Sequence, residues 1–382
     1  MRKSVSFVMI VCLVFILSGC AERPEINEEN GIYYAQSETD NNIDEIINSF
    51  ETESVFSEEE SYRYQKRIGQ NRRHFCIDAV VKNINLSEVS MLTVEPFENM
   101  FDKHKVINLF FDESDNVCDV TEKVNQERIN TEEAEKAVSV KMIASSRLCL
   151  ETQDKNKWFS RSVDSSFYYG NSELNEKYTN ILSKEFQKQN DYDVSTYTAN
   201  NAIEDVENIM KNLGFEGIQI VSCASYYNRE EGYYDIEFTP MVGGLPLVFN
   251  DYEQNTDNIV DVLGTVTIGS DGISDLQASN CVWKIIEKKK AECISLDKIA
   301  QILEQYVLSG DIECSDNIVY TQCELQYLPT TNDWKTVILT PVWRIYVPTA
   351  ERDYIDMDEV YSKNIPLDIC INAIDGKIEF YH

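Results

Sequence analysis

Residues 264–273 read GTVTIGSDGI, and this segment decides how the second half of the chain is expected to fold. It alternates polar and apolar residues and then reaches an Asp-Gly pair at 271–272. Such a pair favours a type I′ hairpin turn, because both positions must accept a positive φ. Residues 367–378 read LDICINAIDGKI and repeat the ending, with an apolar run, Asp-Gly at 375–376 and an isoleucine. Two such segments at matching places indicate a repeated strand–turn–strand unit.

The elements that precede the first of these segments are a helix and two strands. Apolar residues at helical spacing from about Asn201, followed by a stop at Gly214, predict the helix. Runs rich in β-branched and aromatic residues predict strands at 218–224 and 234–239. This unit is assigned to residues 193–285.

The same order recurs about ninety residues later. Ser295 is expected to cap a helix that Gly310 stops, and strands are predicted at 318–328 and 337–347. This second unit is assigned to residues 286–382. Each unit is therefore predicted as a helix laid on an antiparallel sheet, and the fold class as α+β.

The region before the repeats, residues 63–192, is predicted as a mixed α/β lobe. Strands are expected at 75–81 and at 106–111. A capping box at Asn130, with Glu133 three residues later, predicts one helix, and a further helix is expected from Ser172.

The N-terminus carries a secretory signal. Arg2 and Lys3 precede an apolar run at 5–17 that is too short to span a bilayer, which needs about 20 residues. The segment LSGC at 17–20 resembles the lipobox of bacterial lipoproteins. That resemblance implies a signal peptide at 1–19 and a diacylglyceryl, palmitate-bearing anchor on Cys20, which places the protein on the extracytoplasmic face of the cell membrane. The alternative is an ordinary cleaved signal.

The segment after the anchor, residues 20–62, is predicted as an acidic, disordered tether. It holds thirteen Asp or Glu residues against a single basic residue, Arg23. Low hydrophobicity combined with high charge opposes folding.

Composition bounds the class of protein. A chain of 382 residues, 43% hydrophobic, can build roughly two or three domains. Its net charge of −32 repels phosphate backbones, so nucleic-acid binding is not expected.

Eleven cysteines leave two alternatives open. Nine lie beyond Cys12 and Cys20, with no CxxC pair or zinc-like spacing. They can be buried free thiols that act as small apolar groups, or one or two disulfides can form, of which Cys314–Cys323 spans the shortest loop.

No catalytic motif is present, so the chain is predicted not to be an enzyme and to need no cofactor. The three histidines, His74, His104 and His382, form no zinc-protease pattern, and there is no nucleophile elbow or phosphate loop.

Two acidic clusters raise the question of calcium. Their spacing misses the EF-hand rule, so solvated loops are favoured and no metal site is predicted. The clusters are Asp353, Asp356, Asp358 and Glu359, and Asp112, Asp115 and Asp119.

Aromatic residues are the best candidates for contact with a partner, since tyrosine and tryptophan are favoured at interfaces. Adjacent aromatics on a strand point to opposite faces, so one of each pair is expected inside. The candidates are Tyr226, Tyr227, Tyr233, Tyr234, Trp334 and Trp343.

Two families are similar to this second half. The ending at 372–378 resembles the last strand of PepSY-type modules, and the run LTPVWRI at 339–345 resembles the extracellular lobes of YycH/YycI-type regulators. The whole chain resembles clostridial-type lipoproteins of Gram-positive bacteria. These resemblances imply a non-catalytic lipoprotein that binds and modulates an envelope partner, such as a sensor, a protease or a wall enzyme. The alternative is a lipoprotein that captures a solute or a glycan.

Overall fold

Two large β-sheets form the framework of the protein. The computed structural model describes residues 61–70, 73–96, 101–129, 146–162, 166–183, 197–227, 232–249, 259–260, 262–331, 336–348, 351–352 and 355–381. The strands are β1 (Ser61–Gln70), β2 (Arg73–Lys82), β3 (Ser90–Pro96), β4 (Val117–Asp119), β5 (Ser146–Thr152), β6 (Lys157–Ser162), β7 (Phe167–Asn171), β8 (Ile218–Tyr227), β9 (Gly232–Val242), β10 (Leu245–Pro246), β11 (Leu263–Gly269), β12 (Gly272–Ser279), β13 (Trp283–Lys290), β14 (Val319–Thr331), β15 (Val337–Tyr346), β16 (Asp368–Asn372) and β17 (Ile378–Tyr381). The helices are α1 (Lys103–Phe110), α2 (Thr121–Ile129), α3 (Ser172–Ser183), α4 (Ala199–Leu213), α5 (Leu296–Ser309) and α6 (Met357–Lys363).

The eight-stranded sheet has the order β1-β2-β14-β15 and then forks. One branch continues from β15 through β16 to β17, and the other continues through β3 to β13. The pair β2–β14 is parallel, and the remaining pairs of this sheet are antiparallel. Strand β2, from the first part of the described chain, therefore lies beside β14, from its last part.

Pro341 lies at the fork. On one edge of β15, residues Val337 to Leu339 pair with β3, whereas Val342 to Tyr346 pair with β16. The carbonyl of Pro341 accepts a hydrogen bond from Ala373 on this same edge. Because the N and O of one residue in an antiparallel strand point to the same side, the missing N–H lies where the edge changes partner.

The nine-stranded sheet is antiparallel throughout. Its order is β10-β9-β11-β12-β7-β6-β5-β4, and β8 also pairs with β9. The chain after β10 joins the two sheets, since Leu247 bridges to Tyr327 of β14 and the amide of Val260 donates to Pro329 of the same strand over 3.0 Å.

A helix covers one side of each sheet, and α3 packs on part of the other side of the nine-stranded sheet, against β7, β8, β9 and β12. Helix α4 packs on β8, β9 and β11, and α5 packs on β1 and β2. Thr198 closes the start of α4 with a capping box, which was not predicted. Gly214 ends the helix with φ of 106°, as the sequence predicted. Ser295 occupies the N-cap position of α5, but its side chain makes no capping hydrogen bond.

The predicted fold class, α+β with two PepSY-like helix-on-sheet repeats, is wrong. The strands predicted at 75–81, 218–224, 234–239, 318–328 and 337–347 are present. They do not close into separate modules, because each group of strands is extended into a sheet of eight or nine by strands from the first part of the chain. Edge strands carry unpaired N–H and C=O groups, and the distant strands satisfy them.

The segment 106–111 was predicted as a strand and is instead the end of helix α1. Asp102 caps this helix by accepting a hydrogen bond from the amide of His104 over 2.7 Å. Val106 and Phe110, four residues apart, are both buried, so tertiary packing outweighs the β propensity of the segment. The capping box predicted at Asn130 and Glu133 lies outside the described residues.

The type I′ assignment of the two Asp-Gly turns is also wrong. Gly272 and Gly376 have φ of 115° and 77°, but neither Asp271 nor Asp375 is among the described non-glycine residues with a positive φ. Only the glycine of each pair therefore uses the left-handed region.

All nine cysteines beyond Cys12 and Cys20 are free thiols, so the Cys314–Cys323 disulfide is not formed. From residue 61 onward, none of the helices described is long and apolar enough to cross a membrane. The signal peptide, Cys20 and the tether up to residue 60 lie outside the described residues, and those assignments and the domain boundaries stay predictions. The last two tether residues, Ser61 and Tyr62, begin β1.

Candidate functional site

Alternation along the central strands gives the nine-stranded sheet two different faces. Ile236 and Phe238 of β9 are 1% and 0% exposed and belong to the main core. Asp235 and Glu237 alternate with them and are half-buried, as is Thr267 of β11. Since successive strand residues point to opposite sides, these polar residues lie on the other face, called the open face below.

A row of side chains crosses the open face because the strand registers align them. Thr267 pairs with Asp235 on one side and with Asp275 of β12 on the other. Asp275 pairs with Gly170 of β7, which pairs with Trp158 of β6. Residues directly opposite one another on neighbouring strands share a face. The row therefore places two carboxylates, a hydroxyl and an indole along one line.

A groove of about 250 Å³ lies over β9 and β11. Polar side chains from alternate positions of β9 and β11 line it together with the two residues between them. The lining residues are Asp235, Ile236, Glu237, Thr265, Val266 and Thr267.

Three carboxylates of the open face, those of Asp235, Glu237 and Asp275, each accept a hydrogen bond from a hydroxyl group. The donors are Thr267 to Asp235 at 2.6 Å, Ser222 to Glu237 at 2.6 Å and Tyr168 to Asp275 at 2.5 Å. Within the part of the chain that the structure describes, none of these three carboxylates forms an ion pair. Their negative charge is therefore solvated in part and hydrogen-bonded in part, but not neutralised.

Burial raises the pKa of Asp235, and the charges of Asp275 and Glu237 raise it further, against the opposing hydrogen bond from Thr267. Burial also raises the pKa of Asp275, although the hydrogen bond from Tyr168 acts in the opposite direction. Both shifts report that the charged forms are penalised. A cation on this face would remove that penalty.

Trp158 lies over Gly170 at one end of the row. A Cβ built on Gly170 would stand 2.2 Å from Cζ2 of the indole, and 2.5 and 2.6 Å from the two atoms bonded to it, Cη2 and Cε2. A Cβ beyond the edge of the ring would be much farther from Cη2 and Cε2 than from Cζ2. Because the three distances are similar, the glycine lies above the face of the ring. The Tyr168 ring lies nearly parallel, at 21° and 6.0 Å between centroids. Only a glycine at 170 leaves room for this indole.

Two of the tyrosines predicted from the sequence lie on the same face. Tyr226 and Tyr233 face each other across β8 and β9 with parallel rings 5.0 Å apart, and Tyr178 of α3 stacks on Tyr233 at 5.1 Å. Tyr233 is 3% exposed, so Tyr226, which is half-buried, is the member that solvent reaches.

The other predicted contact residues do not join them. Tyr234 points to the opposite face, where its hydroxyl donates to the carbonyl of Tyr197 over 3.1 Å. Trp343 is 3% exposed and its indole N–H donates to the carbonyl of Ile294 over 3.0 Å. Trp334 and the side chain of Tyr227 lie outside the described residues.

The acidic clusters serve local structure. Asp356 caps α6, Glu359 pairs with Lys363 at 2.7 Å, Asp112 and Asp115 both bind Lys157, and Asp119 pairs with Lys103 at 2.9 Å. Asp353 is not described. Over the described ranges, no group of three or more His, Cys, Asp or Glu side chains could hold a metal ion.

A second polar group lies inside the eight-stranded sheet. Arg344 donates three hydrogen bonds to Asp368, the shortest of 2.6 Å, and its guanidinium lies 4.4 Å from the ring centroid of Tyr346. The side chains of the ion pair are 8% and 3% exposed. Its charges are satisfied internally, so it is not a site for a ligand.

Trp158, Asp235 and Asp275 are not among the contact residues predicted from the sequence. A signal was present, because DIEF at 235–238 and TVT at 265–267 alternate polar and apolar residues. That pattern predicts a polar face, but it does not show that the two strands are neighbours in register.

Comparisons with known proteins add little. No protein-family model matches the chain, and no curated protein matches it. The structure is similar to the crystal structure of an uncharacterized protein from Eubacterium rectale, with 16% sequence identity and a TM-score of 0.46. The match covers 83% of this chain and 94% of that one.

Proposed function

We propose that this chain is a non-catalytic lipoprotein, anchored through Cys20 at the extracytoplasmic face, that binds a basic segment of an envelope partner protein on its open face and so modulates that partner. The observation that carries the proposal is the pair of half-buried carboxylates, Asp235 and Asp275, whose partners among the described residues are hydroxyl groups. The anchor itself rests on the lipobox resemblance.

The energetic reason is the cost of an unneutralised charge in a groove. Removing a carboxylate from water is costly unless a counter-charge or enough hydrogen bonds replace the lost solvation. A lysine or arginine side chain supplies both. The net charge of −32 also attracts basic partners at long range and increases their rate of association.

The experiment places a photo-crosslinking amino acid at Thr265, which lines the groove, in the lipidated protein on intact cells. We expect adducts to one partner, with the crosslinked peptide containing lysine or arginine, and we expect Asp235→Asn/Asp275→Asn to remove them. A crosslinker at Tyr361, a residue of α6 that is 75% exposed, provides the matched control and should not give the same adduct.

Adducts of equal yield from the wild type and the double variant, or adducts to neutral or acidic peptides alone, would contradict the proposal. So would the absence of any protein adduct from Thr265 in cells where the Tyr361 crosslinker reacts normally.

Capture of a glycan is the second candidate, because the Trp158 ring lies flat on the sheet beside the hydrogen-bonding side chains of Asp275 and Tyr168. Titration with a neutral tetramer of N-acetylglucosamine separates the two functions. If the tetramer binds and basic peptides do not, the protein is a ligand-capturing lipoprotein.

A further inference from the structure

We propose that Trp158 and Asp275 form a subsite for one guanidinium or ammonium group, where the indole face and the carboxylate hold the tip of a single basic side chain. This inference rests on the proposed function and assigns the chemistry of one place on the open face. Three features of the structure support it: the indole face that β7 leaves uncovered, a carboxylate oxygen without a hydrogen-bond partner among the described residues, and a strand register that places the two groups on either side of Gly170.

The first feature is the orientation of the indole. Gly170 lies directly under the six-membered ring of Trp158, so one face of that ring is covered by the backbone of β7. Trp158 is half-buried, so part of its side chain reaches solvent. Because the backbone of β7 covers one face of the ring, we infer that the opposite face is the one open to a ligand. The face of an indole carries negative potential and attracts a cation within about 6 Å of the ring centroid.

The second feature is the carboxylate of Asp275. Tyr168 donates to Oδ2, which fixes the orientation of the group. Oδ1 has no hydrogen-bond partner among the residues that the structure describes. It can therefore accept a hydrogen bond from a bound cation.

The third feature is the register that places the two groups together. Gly170 pairs with Asp275 on one side and with Trp158 on the other. Because the Trp158 ring extends over Gly170, its six-membered ring lies about one strand spacing, ~5 Å, from the strand of Asp275. A planar guanidinium can stack on the ring and still reach a carboxylate at that spacing.

The same sheet contains a matched case without these properties. On the buried face, Phe238 lies over Gly264, with ring atoms 2.3 Å from where a Cβ would stand. Phe238 is 0% exposed and belongs to the main core. The ring-over-glycine arrangement alone is therefore packing. Trp158 differs from Phe238 because it is only half-buried and because its ring extends toward the strand that carries the Asp275 carboxylate.

The test is a titration of the purified protein with acetyl-Gly-Arg-Gly-amide and with the same peptide containing citrulline, which is neutral but nearly isosteric. Binding is measured by calorimetry and by the indole N–H resonances of the ¹⁵N-labelled protein. We expect the arginine peptide to shift the Trp158 resonance and the citrulline peptide to shift it much less. Trp158→Leu should weaken binding of the arginine peptide about fivefold.

Control variants separate a local role from a loss of structure. Tyr361→Leu, far out on α6, should bind as the wild type does, and Trp158→Phe should restore part of the affinity because it keeps an aromatic face. Asp275→Asn should weaken binding of the arginine peptide without changing binding of the citrulline peptide. Circular dichroism of each variant checks that the fold is retained.

The proposed subsite is contradicted if Trp158→Leu and the wild type bind the arginine peptide with equal affinity. It is also contradicted if the citrulline and arginine peptides bind the wild type with equal affinity. If the Thr265 crosslink then survives in Trp158→Leu, the open face still binds a partner and only the subsite fails. If the arginine peptide binds through Trp158 but no partner is crosslinked from Thr265, the subsite stands and the proposed function fails.

Discussion

The two sheets place their partly or fully buried carboxylates in opposite situations. Asp368 of the eight-stranded sheet is 2% exposed and receives three hydrogen bonds from Arg344, which Tyr346 covers with its ring. Asp235 and Asp275 of the nine-stranded sheet are half-buried. Among the described residues, their side chains accept hydrogen bonds from hydroxyl groups alone.

The difference separates a carboxylate that stabilises the fold from a carboxylate that can bind a ligand. A buried carboxylate that carries its own guanidinium is complete, and a ligand can add nothing to it. A half-buried carboxylate with a raised pKa retains an unmet preference for a cation. This contrast, more than the number of acidic residues in the chain, points to the open face as the binding surface.

The largest expected effect comes from breaking the complete pair. Arg344→Met should lower the free energy of unfolding by about 3–5 kcal/mol, because it leaves Asp368 buried and uncompensated. Urea unfolding followed by circular dichroism measures the loss. The double variant Arg344→Met/Asp368→Leu is the control and should recover most of the stability, since it removes both charges. A cost of less than about 0.5 kcal/mol for the single variant would show that the pair is not structural.

An intermediate effect distinguishes the two faces of the nine-stranded sheet. In Gly264→Ala the new methyl group meets Phe238, which is enclosed by the core, and we expect a loss of about 1–3 kcal/mol. In Gly170→Ala the methyl group meets Trp158, which can move outwards into solvent, so the loss should be smaller. Urea unfolding of the two variants measures the difference, and equal losses would contradict the assignment of the open face.

The same pair of variants also sharpens the binding proposal. Gly170→Ala lifts the indole from the sheet and should weaken binding of the arginine peptide, while Gly264→Ala, provided it is folded, should leave that binding unchanged. The calorimetric titration described above provides the measurement.

The smallest expected effect is a gain. Burial raises the pKa of Asp235 and of Asp275 in the folded protein, so the folded state binds these protons more tightly than the unfolded state does. Their contribution to stability is therefore largest below the ordinary aspartate pKa of 3.8 and is lost as the pH rises through the raised values. Asp235→Asn/Asp275→Asn should stabilise the free protein at pH 7 by about 0.5 kcal/mol.

The difference between wild type and double variant, measured by urea unfolding from pH 3.5 to 7, isolates this contribution from the other carboxylates. It should grow as the pH rises. A variant that is less stable than wild type at pH 7 would mean that the two carboxylates stabilise the fold and are not held for a ligand.

Most local structure could be predicted from the sequence. The helix that ends at Gly214 and the strands at 218–224 and 337–347 follow from periodicity and stop signals that act within a few residues. The segment 106–111 could not, because its burial against Phe159 and Tyr169 depends on strands that lie about fifty residues away. Short apolar runs are ambiguous until their neighbours are known.

The candidate site was less predictable. Tyr226 and Trp343 were both predicted as contact residues because they are aromatic, but Tyr226 is half-buried on the open face and Trp343 is 3% exposed. Nothing in the linear pattern distinguishes a strand residue that faces a covering helix from one that faces water.

The sequence by itself determined the lipobox-like ending at Cys20 as a pattern, the strongly acidic composition, and the helix–strand–strand order that occurs from α4 to β9 and again from α5 to β15, because these depend on nearby residues and on simple counts. Only the tertiary structure decided which strands pair and which sheet face stays open. Pairing between strands such as β2 and β14, or β7 and β12, is set by burial of the whole core and by satisfaction of edge hydrogen bonds. Trp158 is far from Asp235 and Asp275 along the chain. Strand pairing nevertheless brings all three residues into one row across the open face.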